Sequence, residues 1–180
     1  MLMSYTELCL LIEAGVINAP ESAVNATSID VRLGEWVHVE RAPHGGGVVD
    51  LMHRDAPSMS PIRMTDAGYA LQPAEFVLAH TLESFHLPND ISAEFKLKSS
   101  LARSGLQHAL AGWCDAGWHG SQLTLELTNA TREHRLLIRP GMKVGQVIFY
   151  RHREVPDHAS YARKGQYNGD QGAVANKGLR

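Results

Sequence analysis

The sequence predicts a mainly β fold with one short helix at the N-terminus. From residue 76 onward, short segments alternate apolar and polar residues, and Pro, Asn or Gly residues separate them. The clearest helical spacing of apolar residues lies in the first fifteen positions. Short strands separated by turn residues are typical of β sandwiches and barrel-like folds.

The helix is predicted over the segment SYTELCLLIEAG. Ser4 and Glu7 have the spacing of a capping box, in which the two residues satisfy each other's backbone N–H groups. Gly15 is a typical helix end. The apolar residues Leu8, Leu11 and Ile12 share one face, which predicts an amphipathic helix packed on the core.

The strands are predicted from alternation and from turn residues. Residues 27–40, TSIDVRLGEWVHVE, alternate on either side of Gly34 and predict a pair of strands. Residues 41–68 are rich in Pro, Gly, His, Met and Ser, and predict a long, loosely ordered segment. Further strands are predicted at residues 76–87, 121–129, 134–140 and 145–151.

Composition limits the class of protein. A chain of 180 residues, 44% hydrophobic and 20% charged, is expected to form one domain over residues 1–180, with a flexible polar tail from about 161 to 180. The formal charge of −2 supplies no general basic field, so neither nucleic acid nor a membrane is expected as a partner. The N-terminus lacks the basic region of a signal peptide. Two distant cysteines, Cys9 and Cys114, favour a reducing, cytoplasmic location.

The sequence gives little sign of a metal centre built from protein ligands. The two cysteines form no metal knuckle, and the ten histidines show no ligand spacing. The HVE stretch at residues 38–40 has the H-x-E spacing of zinc deaminases, but the P-C-x-x-C motif that those enzymes need is absent. A zinc site is therefore not expected.

The first candidate site is the segment KLKSSLARSGL, residues 96–106. Ser99 and Ser100 lie between two cations, Lys98 and Arg103. Hydroxyls beside cations suit phosphate oxygens, because charge-assisted hydrogen bonds to phosphate are short and strong. A basic turn exposed to solvent is the alternative interpretation.

The second candidate is AGWCDAGWHG, residues 111–120, which carries Asp115. Glycines on both sides of Asp115 permit the close approach of a ligand, and Trp113 and Trp118 supply flat apolar walls. The alternative is a tight hairpin whose tryptophans belong to the core.

The third candidate is Glu126 in the strand QLTLELTN. Leucines at positions 123, 125 and 127 share one face of this strand, so Glu126 points away from the apolar layer. It faces either water, the usual fate of a strand carboxylate, or a cavity in which it could act as a general base. The other residues on its polar face are Gln122, Thr124 and Thr128.

The fourth candidate is the tail, which mixes aromatic, cationic and amide side chains. Such a segment could close over a ligand, and simple disorder is the alternative. The residues concerned are Tyr161, Arg163, Lys164, Tyr167 and Gln171.

The order of these motifs resembles the dCTP deaminase branch of the dUTPase-like superfamily. A serine pair with arginine is followed by A-G-W-x-D-x-G-W-x-G, then T-L-E-L-x-N, then RPGMKVGQVIF and a Gly-rich basic tail that contains QGAVA. The segments NATSIDVRLG (25–34) and AHTLESFHLPNDI (79–91) resemble earlier strands of the family. The resemblance covers nearly the whole chain, and residues 41–68 match poorly.

The resemblance implies a distorted β-barrel of the β-clip, dUTPase-like type. It implies a homotrimer with each active site shared between neighbouring subunits, and hydrolytic deamination of dCTP to dUTP and ammonia without zinc. Mg²⁺ would accompany the triphosphate and would be held through phosphates and water rather than by protein ligands.

The resemblance also implies roles for individual residues. Glu126 matches the catalytic glutamate, which accepts and returns protons, Ser99 would hold the attacking water or developing charge, and Arg103 would stabilise negative charge. Contacts to the substrate are implied for Lys98, Ser100, Asp115, Thr124, Leu125, Gln146, Tyr161, Lys164 and Gln171.

Four positions depart from the family pattern. Lys98 stands where an arginine is usual, and a lysine cannot bind phosphate bidentately. In the tail, Gln166 stands at the position of a lysine, and Asp170 lies near that of a glutamine. Cys114 replaces a usual aliphatic residue. The first three departures bear on how the phosphates are held.

Two further functions stay open. The AGW before Asp115 resembles bifunctional members, which also act as dUTP pyrophosphatases and form dUMP, and there Asp115 would help to activate water at the α-phosphorus. A simple dUTPase would not need Glu126. A nucleotide-binding regulator without catalysis is supported only by the departures in the tail.

Overall fold

The computed structural model describes residues 1–41, 47–52 and 56–177. Strands account for 40% and helices for 14% of the chain, so the predicted mainly β fold is confirmed. The strand pairing forms three sheets, and it does not close into one barrel within the part of the chain that is described.

The predicted N-terminal helix is confirmed as α1 (Tyr5–Glu13). The backbone nitrogen of Ser4 donates to Glu7 Oε2 at 2.8 Å, which is the predicted capping box. Leu8 and Leu11 are buried, and Gly15 follows the helix with a φ of +71°, a conformation that favours glycine.

The strands alternate with turns along the rest of the described chain. A short helix, α2 (Ser99–Arg103), lies between two of the strands, and another, α3 (Tyr161–Lys164), follows the last strand. The strands are β1 (Ile29–Arg32), β2 (Trp36–Glu40), β3 (Met59–Arg63), β4 (Tyr69–Leu71), β5 (Phe76–His86), β6 (Ile91–Leu97), β7 (Leu106–His108), β8 (Trp113–Cys114), β9 (His119–Asn129), β10 (Leu136–Ile138) and β11 (Lys143–Arg151).

Two larger sheets enclose most of the core. One has the order β3-β2-β5-β9-β7, and the other has the order β1-β11-β6-β8, while β10 and β4 form a small third sheet. All pairings are antiparallel. The long strand β9 alternates buried and partly exposed residues, so that one of its faces lies on the core and the other is free for a site. Its neighbour β5 is buried without interruption over residues 77–81.

The predicted pairing of β1 with β2 is wrong. Strand β1 pairs with β11, whereas β2 pairs with β3 and β5, so the chain changes sheets at Gly34. The Gly34 nitrogen donates to the carbonyl of His80 at 2.7 Å, and a Cβ on Gly34 would lie 2.0 Å from the imidazole carbon Cε1 of His80. Alternation predicted the strands correctly but carries no information about which strands pair.

The prediction of a loosely ordered segment at 41–68 is partly wrong. Strand β3 lies within it and pairs with β2 over five residues. It is an edge strand that contains Pro61, a position where the missing N–H of proline is tolerated. Residues 42–46 and 53–55 of the segment lie outside the described residues. No helix among the described residues is long and apolar enough to cross a membrane.

Candidate active site

A cavity of about 540 Å³ lies beside the polar face of β9. Its floor includes Thr124 and Glu126 of that strand, and its rim includes Met59 of β3. Aromatic side chains form much of the wall, which gives the cavity an apolar lining around a few polar groups, as is usual for small-molecule sites. The aromatic residues are Phe76, Trp113, Trp118, Tyr161 and Tyr167.

Strand β9 places Glu126 in this cavity by simple alternation. Leu125 and Leu127 are fully buried in the core, and Leu123 is nearly so. Glu126 therefore points to the opposite face, as predicted, and that face lines the cavity rather than open water. The backbone carbonyl of Glu126 accepts a hydrogen bond from the N–H of Ala109, with a nitrogen–oxygen distance of 3.1 Å.

A histidine that the sequence analysis did not single out lies against Glu126. His108 Nε2 is 3.2 Å from Glu126 Oε2, and the His108 side chain is only 4% exposed. The two atoms are close but not aligned for a hydrogen bond, so both are buried without a hydrogen-bond partner among the described residues. Buried polar atoms in this condition usually await a ligand or water. The imidazole is held in place by the ring of Phe95, whose centroid is 4.7 Å away.

The C-terminal segment covers one side of the cavity. The Trp118 indole nitrogen donates to the carbonyl of Tyr167 at 2.8 Å, and the backbone nitrogen of Val174 donates to Thr124 Oγ1 at 3.1 Å. Val174 and Tyr167 both line the cavity. Residues 161–177 thus lie against β9 in this structure, whereas the predicted mobility of the tail stays a prediction; residues 178–180 lie outside the described residues.

Asp115 lies in the cavity wall on a turn that glycine permits. Gly117 has a φ of +86°, and a Cβ there would lie 2.0 Å from Ser160 Oγ, so glycine lets the start of the tail approach the turn. Trp118 is buried in the core, as the hairpin interpretation required, whereas Trp113 is 55% exposed. The Trp113 indole nitrogen donates to Asp115 Oδ1 at 2.9 Å.

Helix α2 carries another group of predicted residues, and none of them lines the cavity described above. Ser99, Ser100 and Arg103 are exposed on this helix. Lys98 is already paired, because its ammonium lies 2.7 Å from Oδ1 of the buried Asp30. Burial opposes the charged form of Asp30, but hydrogen bonds from Lys98, Asn25 and Lys143 outweigh it and lower its pKa.

Comparison with known proteins identifies the family. A sequence model described as dCTP deaminase-like matches residues 3–152. The dUMP-forming dCTP deaminase of Methanospirillum hungatei is 38% identical over 128 residues, which cover 71% of this chain and 67% of that protein. The corresponding protein of Streptomyces griseus is 36% identical and covers 100% of this chain and 96% of its own. The chain belongs to the dCTP deaminase-like family.

A solved structure agrees with this family at the level of the fold. The dCTP deaminase from Agrobacterium tumefaciens superposes with a TM-score of 0.64 at 23% sequence identity. The match covers 82% of this chain and 47% of that one, so this chain spans about half the length of that protein. The sequence matches confirm the predicted resemblance to the dCTP deaminase family, and the solved structure agrees with it in fold.

The predicted site of this dCTP deaminase-like protein divides into two groups within one chain. The cavity group contains Glu126, Thr124, Asp115 and Tyr161. Leu125 lies beside them, but its side chain is in the core, so only its backbone can contact a ligand. The α2 group contains Lys98, Ser99, Ser100 and Arg103, and Gln146 lies opposite Asp30, the partner of Lys98, in the β1–β11 pairing.

Two predicted tail residues lie at the margin of the cavity group. Lys164 lines a smaller cavity of about 320 Å³ that shares Asp115 and Tyr161 with the first. Gln171 donates through Nε2 to the carbonyl of Gly120 at 2.7 Å, which ties the tail to the start of β9. Neither residue lines the larger cavity itself.

Sequence reasoning missed two features of the site. His108 lies opposite Leu127 in the pairing of β7 with β9, which brings it next to Glu126. No local sequence pattern predicts that pairing. Lys177 holds Asp170 from seven residues away, with its ammonium 2.7 Å from both carboxylate oxygens. Among the described residues, no three His, Cys, Asp or Glu side chains come together as ligands for a metal ion.

Proposed function

We propose that this protein deaminates dCTP to dUTP and ammonia, with Glu126 as the group that accepts and returns protons. The observation that carries the proposal is the Glu126 carboxylate, which lies in an aromatic-lined cavity with Oε2 buried and without a hydrogen-bond partner among the described residues. Membership of the dCTP deaminase-like family supports the same assignment.

The chemistry requires water to add to C4 of cytosine and ammonia to leave. Glu126 would take a proton from the water as the C–O bond forms, and would return protons to the ring nitrogen and to the departing amine. The water oxygen then becomes O4 of uracil, and the former 4-amino group leaves as ammonia. His108, 3.2 Å from Glu126, limits the orientations open to that carboxylate.

We further propose that the active form is a homotrimer with shared sites. Ser99 and Arg103 are exposed on α2 and lie outside the cavity that contains Glu126. A neighbouring subunit could present its α2 to that cavity, where Ser99 would hold the water and Arg103 would stabilise negative charge. Closed rings of identical subunits are a common form of symmetric assembly.

Magnesium is proposed as the partner of the triphosphate. The ion would be held mainly by phosphate oxygens and water, as Mg²⁺ commonly is. Asp115 and Asp170 line the larger cavity and could contact such an ion or its waters. When bound, the ion would neutralise phosphate charge that would otherwise repel these two carboxylates.

A direct test is incubation of the protein with dCTP and magnesium, followed by chromatographic separation of the nucleotides. Appearance of uracil nucleotides with one equivalent of ammonia is the expected result. Unchanged dCTP from protein that binds the nucleotide would contradict the proposal and would favour a regulator.

A second reaction, release of diphosphate to give dUMP, is favoured by two observations. Asp115 lies in the same cavity as Glu126 and is exposed to whatever enters it. The two relatives reported above are dUMP-forming dCTP deaminases. In the incubation described above, dUMP rather than dUTP as the final uracil nucleotide would support this reaction.

A further inference from the structure

Trp113 makes a specific contact with the Asp115 carboxylate. The indole nitrogen, which can only donate, lies 2.9 Å from Asp115 Oδ1. The indole therefore holds one oxygen of a carboxylate that lines the cavity, and Oδ2 is the second oxygen of that carboxylate. Because a carboxylate rotates easily about its last bond, a donor on one oxygen determines where the other oxygen points.

The indole is itself held in place although it is 55% exposed. Its ring stacks on the ring of Tyr150, with centroids 6.0 Å apart and an angle of 30° between the planes. The Tyr150 hydroxyl donates to Glu94 Oε2 at 3.2 Å, and Glu94 lies opposite Trp113 in the β6–β8 pairing. A large exposed aromatic ring fixed by two neighbours suggests a role other than filling the core.

We propose that Trp113 is a positioning residue for the release of diphosphate. This inference rests on the dUMP-forming reaction proposed above. Trp113 holds Asp115 Oδ1, so that Oδ2 orients the attacking water and accepts its proton. The water oxygen then bonds to the α-phosphorus, the bond from that phosphorus to the bridging oxygen breaks, and diphosphate leaves. Glu126 serves deamination and has no part in this step.

The hydrogen bond of Trp113 explains why loss of its N–H should affect mainly one of the two reactions. It contacts Asp115, and no described hydrogen bond links it to Glu126 or His108. Loss of the indole N–H should therefore misplace Asp115 while deamination continues. A merely structural role in the β6–β8 pairing would instead lower both reactions together.

The experiment measures diphosphate release from dUTP and, separately, ammonia release from dCTP. In Trp113→Phe, which keeps an aromatic ring and removes the donor, we expect dUMP formation from dUTP to fall about 10- to 100-fold, the worth of one hydrogen bond to a charged group. Trp113 also lines the cavity, but phenylalanine keeps an aromatic ring there, so ammonia release from dCTP should fall much less than dUMP formation. Trp113→His, which keeps an N–H donor, should recover part of the dUMP-forming rate.

Two further variants separate positioning from general damage. Tyr150→Phe keeps the stacked ring and should change neither reaction by more than about twofold. Asp115→Asn should abolish dUMP formation, and the double variant with Trp113→Phe should be no slower than Asp115→Asn alone, because the two residues act as one unit. Melting temperatures would confirm that each variant is folded.

Three results would overturn the inference. They are an unchanged dUMP-forming rate in Trp113→Phe, an equal fall in both reactions, and wild-type protein that does not cleave dUTP. Since dUTP needs no deamination, wild-type protein that cleaves dUTP but leaves dCTP intact would contradict the deaminase proposal alone.

Discussion

The cavity beside β9 and the helix α2 carry predicted catalytic residues in contrasting surroundings. At the cavity, Glu126 Oε2 and the adjacent His108 Nε2 are buried without hydrogen-bond partners among the described residues. On α2, Lys98 is paired with buried Asp30, while Ser99 and Arg103 are exposed. Within one chain, the carboxylate of Glu126 therefore lies in a cavity, whereas Ser99 and Arg103 face outward, which is the arrangement that the proposed shared site requires.

The contrast also explains why the departure at Lys98 need not weaken catalysis. Its ammonium stabilises the charge of the buried Asp30 carboxylate, together with Asn25 and Lys143. A lysine with this structural partner is a poor candidate for a phosphate ligand in the same conformation. Arg103 then becomes the cation of the segment that can act on a nucleotide.

Among the substitutions in the cavity, Glu126→Gln is expected to cause the largest loss of activity. The amide keeps the shape of the side chain and cannot accept a proton, so ammonia release should fall by about 10²-fold or more. Binding of dCTP, measured by calorimetry, should persist. Glu13→Gln, at the exposed end of α1, is the control for the loss of one negative charge. Activity of Glu126→Gln within a few-fold of wild type would remove Glu126 from the mechanism.

A mixing experiment tests whether one active site combines the cavity of one subunit with the α2 of another. Arg103→Ala and Glu126→Gln should each be nearly inactive, but a mixed trimer can combine an intact cavity of one subunit with an intact α2 of another. Random mixing in a closed ring should restore roughly a quarter of the wild-type rate. Each variant refolded with itself is the control. No recovery in trimers shown by mass spectrometry to be mixed would contradict shared sites, as would active protein that is monomeric in light scattering.

Lys98→Ala should reduce stability more than turnover, in contrast to Arg103→Ala. Removing the ammonium leaves the buried Asp30 carboxylate with fewer hydrogen bonds, at a cost of about 1–3 kcal/mol in the free energy of unfolding. Lys143→Ala, which removes a more exposed partner of the same carboxylate, is the matched control and should cost less. Denaturant melts and steady-state kinetics decide between the two roles, and a larger fall in turnover for Lys98→Ala than for Arg103→Ala would reverse them.

Local patterns predicted α1 and the direction of Glu126, because both depend on neighbours within a few residues. The capping box at Ser4 and the leucine alternation in β9 are such patterns. They could not predict that β1 pairs with β11, since alternation is the same whichever strand lies alongside. The contact of His108 with Glu126 likewise depends on pairing between β7 and β9.

Ion pairs between residues far apart in the chain could not be predicted from the sequence either. Arg32 donates from its backbone nitrogen and its Nε to Glu83, whose side chain is fully buried. The two residues are 51 positions apart, so no spacing rule connects them. A buried carboxylate of this kind is held by its partner and is not by itself a sign of catalysis.

The tail differs from both regions because it contains an ion pair of its own, between Asp170 and Lys177. Lys177 lies 2.7 Å from both oxygens of Asp170 and donates to the carbonyl of Gln166 at 2.9 Å. Its ammonium also lies 5.1 Å from the centre of the Tyr167 ring. Asp170 lines the cavity, so this pairing offsets an aspartate that would otherwise oppose a triphosphate.

Lys177→Ala should therefore weaken nucleotide binding rather than the chemical step. We expect KM for dCTP to rise about two- to fivefold, the worth of one partly exposed ion pair, with kcat nearly unchanged. Lys177→Arg keeps the positive charge and is the control. Hydrogen exchange of residues 161–177 should be faster in Lys177→Ala than in wild type without ligand, and should slow in both when nucleotide and magnesium bind. Equal exchange in the two proteins, together with an unchanged KM, would mean that the pair neither closes the tail nor serves the substrate.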